Sequence, residues 1–172
     1  MTLNDIDTLG ERGIESIVLD PSFSSNNFFY VYYHKASRGR ARFARFTHTV
    51  DHAETSSEAL IWEASHAPVD HIHLGGGLAF GRSGHLFLTT GEDGFAAKAQ
   101  DLTTSYGKVI RVNKNGTIPA DNPFNDGNGP NVDSIWAYGL RNPFRATWDI
   151  PTNRFLIAEV GGNNQSTAWE GV

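Results

Sequence analysis

Cysteine is absent from the 172-residue chain, which excludes disulfides and thiolate metal sites and leaves the cellular compartment open. No apolar run approaches the ~20 residues a membrane-spanning helix needs. The opening MTLNDIDTLGERG has neither a basic stretch nor an apolar core and does not read as a secretory signal. Positive charge is scarce. The 14 Lys and Arg residues are outnumbered by 19 Asp and Glu, and the net charge of −5 argues against a broad nucleic-acid or anionic-membrane surface. Helical periodicity is nearly missing too. What remains is 39% hydrophobic and 12% aromatic, with 18 glycines, cut into short apolar or alternating runs by Gly, Asn, Asp and Pro. That is an all-β pattern on a chain long enough to bury a core as one domain.

The runs repeat. IVLDPSFSSNNFFYVYY from Ile17, LAFGRSGHLFLTT from Leu78 and ATWDIPTNRFLIAEV from Ala146 share one plan. An apolar strand ends at Leu19, Phe80 or Trp148, and a small or acidic turn residue follows (Asp20, Gly81, Asp149). Asn27, Gly84 or Asn153 then precedes a second strand. This is a hairpin recurring at offsets of 61 and 68 residues. FARFTHT around Arg45 and VIRVNKNG around Arg111 form a second related pair, 66 residues apart. Four-stranded units in tandem predict β-propeller blades, with a β-sandwich of short hairpins as the competing arrangement. Arg38, Arg40, Arg42 and Arg45 read as a solvated hairpin rather than a nucleic-acid surface.

Chemistry concentrates in His71-Ile72-His73-Leu74-Gly75-Gly76-Gly77-Leu78. An HxH pair on a strand would point both rings to one face and, with Asp70, would offer metal ligands, but no third-ligand pattern follows. A phosphate loop needs a helix N-terminus after its glycines, and Leu78 onward reads as strand. A neutral imidazole is also a ready proton acceptor near pH 7. On the residues alone, the simplest reading is a turn carrying a solvated histidine.

Longer phrases add to this. GERGI…LDPSF…YVYY, HLGGGLAFGRSGHLFLTTGEDG, AQDL…YGKVIRVNKNGTIPADNPF, IWAYGLRNPFRATWD and AEVGG…WE together run from about Gly10 to Glu170. They resemble the glucose/sorbosone dehydrogenase family, the soluble PQQ-dependent aldose dehydrogenases. The resemblance implies a six-bladed propeller roughly twice this length. Residues 1–172 are then expected to form a single partial β-propeller domain, truncated at both ends, of about three antiparallel four-stranded blades. Open blade edges would favour self-association.

The resemblance also implies roles. His73 matches the general base that takes the anomeric proton as hydride passes to PQQ. Arg141 and Asn142 match the pair beside PQQ, where a guanidinium steadies the developing negative charge. Gly161 and Gly162 match positions whose backbone carbonyls bind the Ca²⁺ that anchors PQQ. Glu11 falls where sugar-oxidising members carry a polar residue near the substrate. Some members carry Gln at the place of Val160 and Pro at the place of Gly162, and Glu15-Ser16 stand where the family prefers an apolar residue and glycine. Tyr106-Gly107-Lys108 and Asp121-Asn122-Pro123 read as structural, the second as a loop fixed by Asx-type bonds. Asn115-Gly116-Thr117 and Asn164-Gln165-Ser166 fit a glycosylation pattern that is common by chance.

The expected function is PQQ- and Ca²⁺-dependent oxidation of an aldose or related alcohol, with a small-molecule sugar as substrate and an external electron acceptor. Exported members point to the periplasm or the cell exterior for the full-length parent. The alternatives are a cofactor-free propeller binding module and a calcium-dependent lactonase-like hydrolase.

Overall fold

Each repeated hairpin reverses through one residue in the left-handed region: Asn27 at φ 57°, Gly84 at φ 83° and Asn153 at φ 56°. Glycine, and asparagine among side-chain-bearing residues, enter this region at least cost. The computed structural model describes residues 1–163. Strands β1 (Ile14–Leu19), β2 (Phe28–Lys35), β3 (Arg40–His48) and β4 (Ala53–Glu63) form one antiparallel meander. Strands β5 (Leu78–Phe80), β6 (Leu86–Thr90), β7 (Lys108–Val112) and β8 (Ile135–Tyr138) form a second, and β9 (Asn142–Asp149) pairs with β10 (Arg154–Val160). The only helices among the described residues are α1 (Phe23–Asn26) and α2 (Ala96–Gln100), and neither is long and apolar enough to cross a membrane.

These are propeller blades: two complete four-stranded sheets and a strand pair opening a third. The expectation of about three blades is refined accordingly. Strand β1 meets β5, and β5 meets β9, so the first strand of each blade lies beside the first strand of the next. The second repeat is also in register. Tyr30 faces Arg45 in the first sheet as Phe87 faces Arg111 in the second.

Alternation along β2 explains how the sheets stack. Tyr30 and Tyr32 join Phe43, Leu86, Leu88 and Ile110 in the layer between the two sheets. Phe29, Val31 and Tyr33 face the other way and are covered by the N-terminal residues Leu3 and Ile6. Burying one such side chain contributes about 2 kcal/mol. The layer is also latched at its edge. Buried Asp20 accepts from the Tyr30 hydroxyl at 3.0 Å and from Lys114 Nζ at 3.2 Å, joining the turns of both sheets. Beyond the layer, β1 leaves Ile14, Ile17 and Leu19 more than half exposed.

The arginine hairpin differs from its sequence reading. Arg42 is buried, donating to Glu63 at 2.7 Å and Glu58 at 2.9 Å, while Arg45 lies over the Phe28 ring. Burial alone would raise the Glu58 carboxyl. The Tyr33 hydroxyl and Arg42 hold it below its ordinary value. Arg42→Ala removes the hydrogen-bonded cation from both carboxylates, leaving them only Lys35 and Arg40 at 3.6 Å, and is expected to cost about 3 kcal/mol, read as a lower urea midpoint. An unchanged midpoint would return the cluster to the solvated class. Asn122 also departs from expectation. It fixes its loop by long-range bonds to the Arg111 and Asp133 carbonyls, both at 3.0 Å, rather than by a local Asx turn.

Candidate functional site

Five segments converge at one end of the sheets. They are the approach to β1, the HIHLGGG loop before β5, the loop after β6, the residues entering β9 and those leaving β10. The HIHLGGG segment is irregular rather than a strand, so the pattern that would place both rings on one face does not hold. Among the described residues no three His, Asp or Glu side chains converge to hold a metal, which removes Asp70, His71 and His73 as a metal cluster.

His73 instead meets Glu92, with Nδ1 and Oε1 3.0 Å apart and both side chains largely buried. A carboxylate on Nδ1 selects the tautomer with its proton there and leaves Nε2 as the basic nitrogen. The backbone keeps this pair in place. His73 itself adopts φ 55°, its carbonyl accepts from the Asp93 N–H at 3.0 Å, and Glu92 N–H donates to the Arg141 carbonyl at 2.8 Å. Gly91 makes the approach possible, since a Cβ there would stand 2.0 Å from the His73 oxygen.

Asp93 is fully buried and accepts from the Val69 and Asp70 N–H groups at 2.7 and 2.8 Å and from Lys98 Nζ. Behind it, buried Lys108 donates to the carbonyls of Lys98, Ala99 and Tyr106 at 2.7, 3.2 and 2.5 Å. Burial pushes this ammonium down to about 8. Gly107, at φ 72°, makes the turn expected of it, and Val109 and Ile110 are core residues.

At the glycine loop opens a cleft of about 400 Å³ lined in part by Glu11, Glu15, Gly75, Asn142 and Val160; His73 precedes Gly75 by two residues and does not itself line it. Asn142 Oδ1 accepts from Gly75 N–H at 3.0 Å, and Glu11 Oε2 lies 3.4 Å from Leu74 N–H. Both side chains therefore grip the glycine loop. The Arg141 guanidinium turns toward the end of β10, reaching the Val160 carbonyl at 3.4 Å and Asn163 Oδ1 at 2.7 Å. Its N–H is held by Glu159 Oε1 at 2.5 Å. Gly161 and Gly162 follow directly, and a Cβ at Gly162 would meet nothing, so no steric demand requires glycine there.

All six sequence-nominated residues thus lie at one end of the sheets. His73, Glu11 and Asn142 gather about the glycine loop. Arg141, Gly161 and Gly162 group at the end of β10. Sequence reasoning missed Glu92. Its signal was present as a carboxylate between glycines immediately after the buried strand LFLTT. Asn164-Gln165-Ser166 and Glu170 lie outside the described residues.

A propeller with a histidine–carboxylate pair in a glycine-rich loop that borders a cleft defines the class. The Glucose / Sorbosone dehydrogenase family profile matches residues 1–166, and the chain belongs to that family. It is 31% identical over 162 residues to Aldose sugar dehydrogenase YliI of Escherichia coli (strain K12), covering 91% of this chain and 43% of the relative. Superposition on the soluble aldose sugar dehydrogenase of Escherichia coli in its apo form gives a TM-score of 0.82 at 28% identity, covering 93% of this chain and 48% of that one. The PQQ-bound aldose sugar dehydrogenase of Streptomyces coelicolor gives 0.80 at 27% identity, covering 94% and 46%. The chain therefore spans about half the length of the relatives it matches.

Proposed function

We propose that the parent protein is a PQQ- and Ca²⁺-dependent sugar dehydrogenase, oxidising an aldose at the anomeric carbon to a lactone and passing electrons to an external acceptor outside the cytoplasm. The observation that carries this is the His73–Glu92 pair in the loop whose Gly75 is held by Asn142 and lines the cleft, in a chain of this family.

The residues fit the cofactor in part. Gly75 and Asn142 line the cleft where a flat ring system would sit, and the Arg141 guanidinium reaches the carbonyl of Val160, another lining residue. Carbonyls of Gly161 and Gly162 would supply two oxygens of the six to eight that Ca²⁺ takes. PQQ, when bound, supplies the two-electron acceptor. The chain's own residues handle the proton: Glu92 fixes the His73 ring through Nδ1, and Nε2 takes the proton of the anomeric hydroxyl. Glu11, at the cleft wall, accepts from a substrate hydroxyl.

Thermal unfolding of the purified chain with and without PQQ plus Ca²⁺ tests this. At a hundredfold excess over Kd, binding to the folded state adds about 2.7 kcal/mol, which moves the midpoint by about 5–10 °C. The shift should vanish in a His73→Ala, Arg141→Ala double variant. A cooperative melt with no shift sinks the reading for this chain and favours the cofactor-free module. Hydrolysis of a lactone would identify the hydrolase instead.

A further inference from the structure

We propose that Glu15 determines specificity in the cleft, selecting a sugar that carries a protonated amine over its neutral counterpart, with His34 as the residue that positions it. This deepens the sugar-oxidising reading of the same cleft and rests on it.

Three observations carry the assignment. The first is backbone. The register of β1 on β2 slips between Ile14 and Ser16, so Glu15 is the extra residue of a β-bulge. A bulge takes a side chain out of strand alternation and re-aims it. Here it places Glu15 in the cleft wall beside Glu11, across from Gly76, where a Cβ would lie 3.6 Å from Glu15 Oε2. The absent side chain at Gly76 leaves that oxygen approachable by a ligand.

The second is a buried group with nothing else to do. His34 is fully buried, and neither ring nitrogen has a hydrogen-bond partner. Its Nδ1 lies 3.4 Å from Glu15 Oε1 outside hydrogen-bond geometry, and that oxygen is also without a hydrogen bond. Burying polar atoms unpaired costs about 1–3 kcal/mol each, so a close approach of this kind marks a group held for another purpose. His34 stands behind the carboxylate, braced by its own N–H on the Gly13 carbonyl and by the Tyr32 ring at 5.8 Å. The other charged groups near it, Asp7 and Arg12, are paired with each other at 2.7 Å.

The third is charge. Glu11 and Glu15 line the cleft with one guanidinium, Arg145, which is turned back onto the Phe144 carbonyl at 2.6 Å and over the Phe144 ring. No Lys or Arg pairs with either carboxylate among the described residues. A largely buried carboxylate facing an open cleft with no cation paired to it favours a ligand that brings one, and charge-assisted bonds are about twice as strong as neutral ones.

Calorimetric titration of the purified chain with glucosamine, glucose and N-acetylglucosamine, in chelator at pH 7 and low salt, tests the proposal. Glucosamine should bind about tenfold more tightly than glucose. N-acetylglucosamine, similar in shape but uncharged, should bind no better than glucose. Glu15→Gln should bring the three within about twofold. In the unaltered chain, independently of any variant's folding, the preference should shrink as salt is raised. Equal binding of the three sugars, no binding of any, or a preference that persists in Glu15→Gln overturns the proposal. The PQQ–Ca²⁺ melt separates the two claims. A PQQ shift without amine preference leaves the dehydrogenase reading standing, and an amine preference without a PQQ shift leaves only the selecting carboxylate.

Discussion

Gly91→Ala is expected to lower the melting midpoint by about 10 °C, corresponding to about 4 kcal/mol. The added Cβ would stand 2.0 Å from the His73 oxygen and 3.0 Å from the Arg141 oxygen. Both are backbone atoms, so no side chain can swing aside. Either the HIHLGGG loop or the approach to β9 must move, and the bonds from Asp93 N–H and Glu92 N–H to those carbonyls are lost with it. Gly84→Ala is the control. Its Cβ meets nothing, although φ is 83°, so only the left-handed penalty of about 1–2 kcal/mol applies. Differential scanning calorimetry of both variants decides the matter. Equal melting of the two would mean that the His73 loop is not packed on Gly91.

Lys108→Met is the second large effect. Methionine fills the stem's volume but removes the donor for the carbonyls of Lys98, Ala99 and Tyr106. The Ala99 and Lys98 carbonyls keep the N–H groups of Gly139 and Asp101, and losing three bonds from a charged donor is expected to cost about 4 kcal/mol. The loop that opens with Glu92 and Asp93 should then lose amide-exchange protection before the strands do.

The pH dependence has a definite sign. Burial lowers the folded ammonium from 10.5 to about 8. Between those values the unfolded chain holds a proton that folded Lys108 has released, so this group makes folding more favourable as pH rises. The stability gap between the unaltered chain and Lys108→Met should therefore widen from about pH 8 upward and stay flat below it. A gap that narrows in that window would show the three carbonyls holding the proton above its ordinary value.

Strand structure was legible wherever local chemistry decides it. Asn27, Gly84 and Asn153 announce left-handed turns, and the paired runs around Arg45 and Arg111 fall at equivalent positions in their sheets. Long-range pairing was not legible. Arg42 looks solvated in a run of four arginines because Glu58 and Glu63 lie 16 and 21 residues away on the next strand. Glu92 is hidden for the same reason, 19 residues from His73. Glu15 stood out only as an anomaly at a strand entrance. Its meaning depends on a register slip against β2 and on an imidazole in that second strand.

The meander also sets an order of events in time. Each sheet pairs a strand with the one just before it, so the first sheet is complete in sequence by Glu63, and such short separations close quickly. The contacts that shape the cleft are different. Glu11 to Leu74 and Asn142 to Gly75 span 63 and 67 residues. On a ribosome the sheets can assemble as they emerge, whereas the cleft must wait for Asn142. The cleft is therefore expected to form late in the folding reaction, after the transition state. Changes at Glu11 or Asn142 should quicken unfolding while leaving the folding rate nearly untouched.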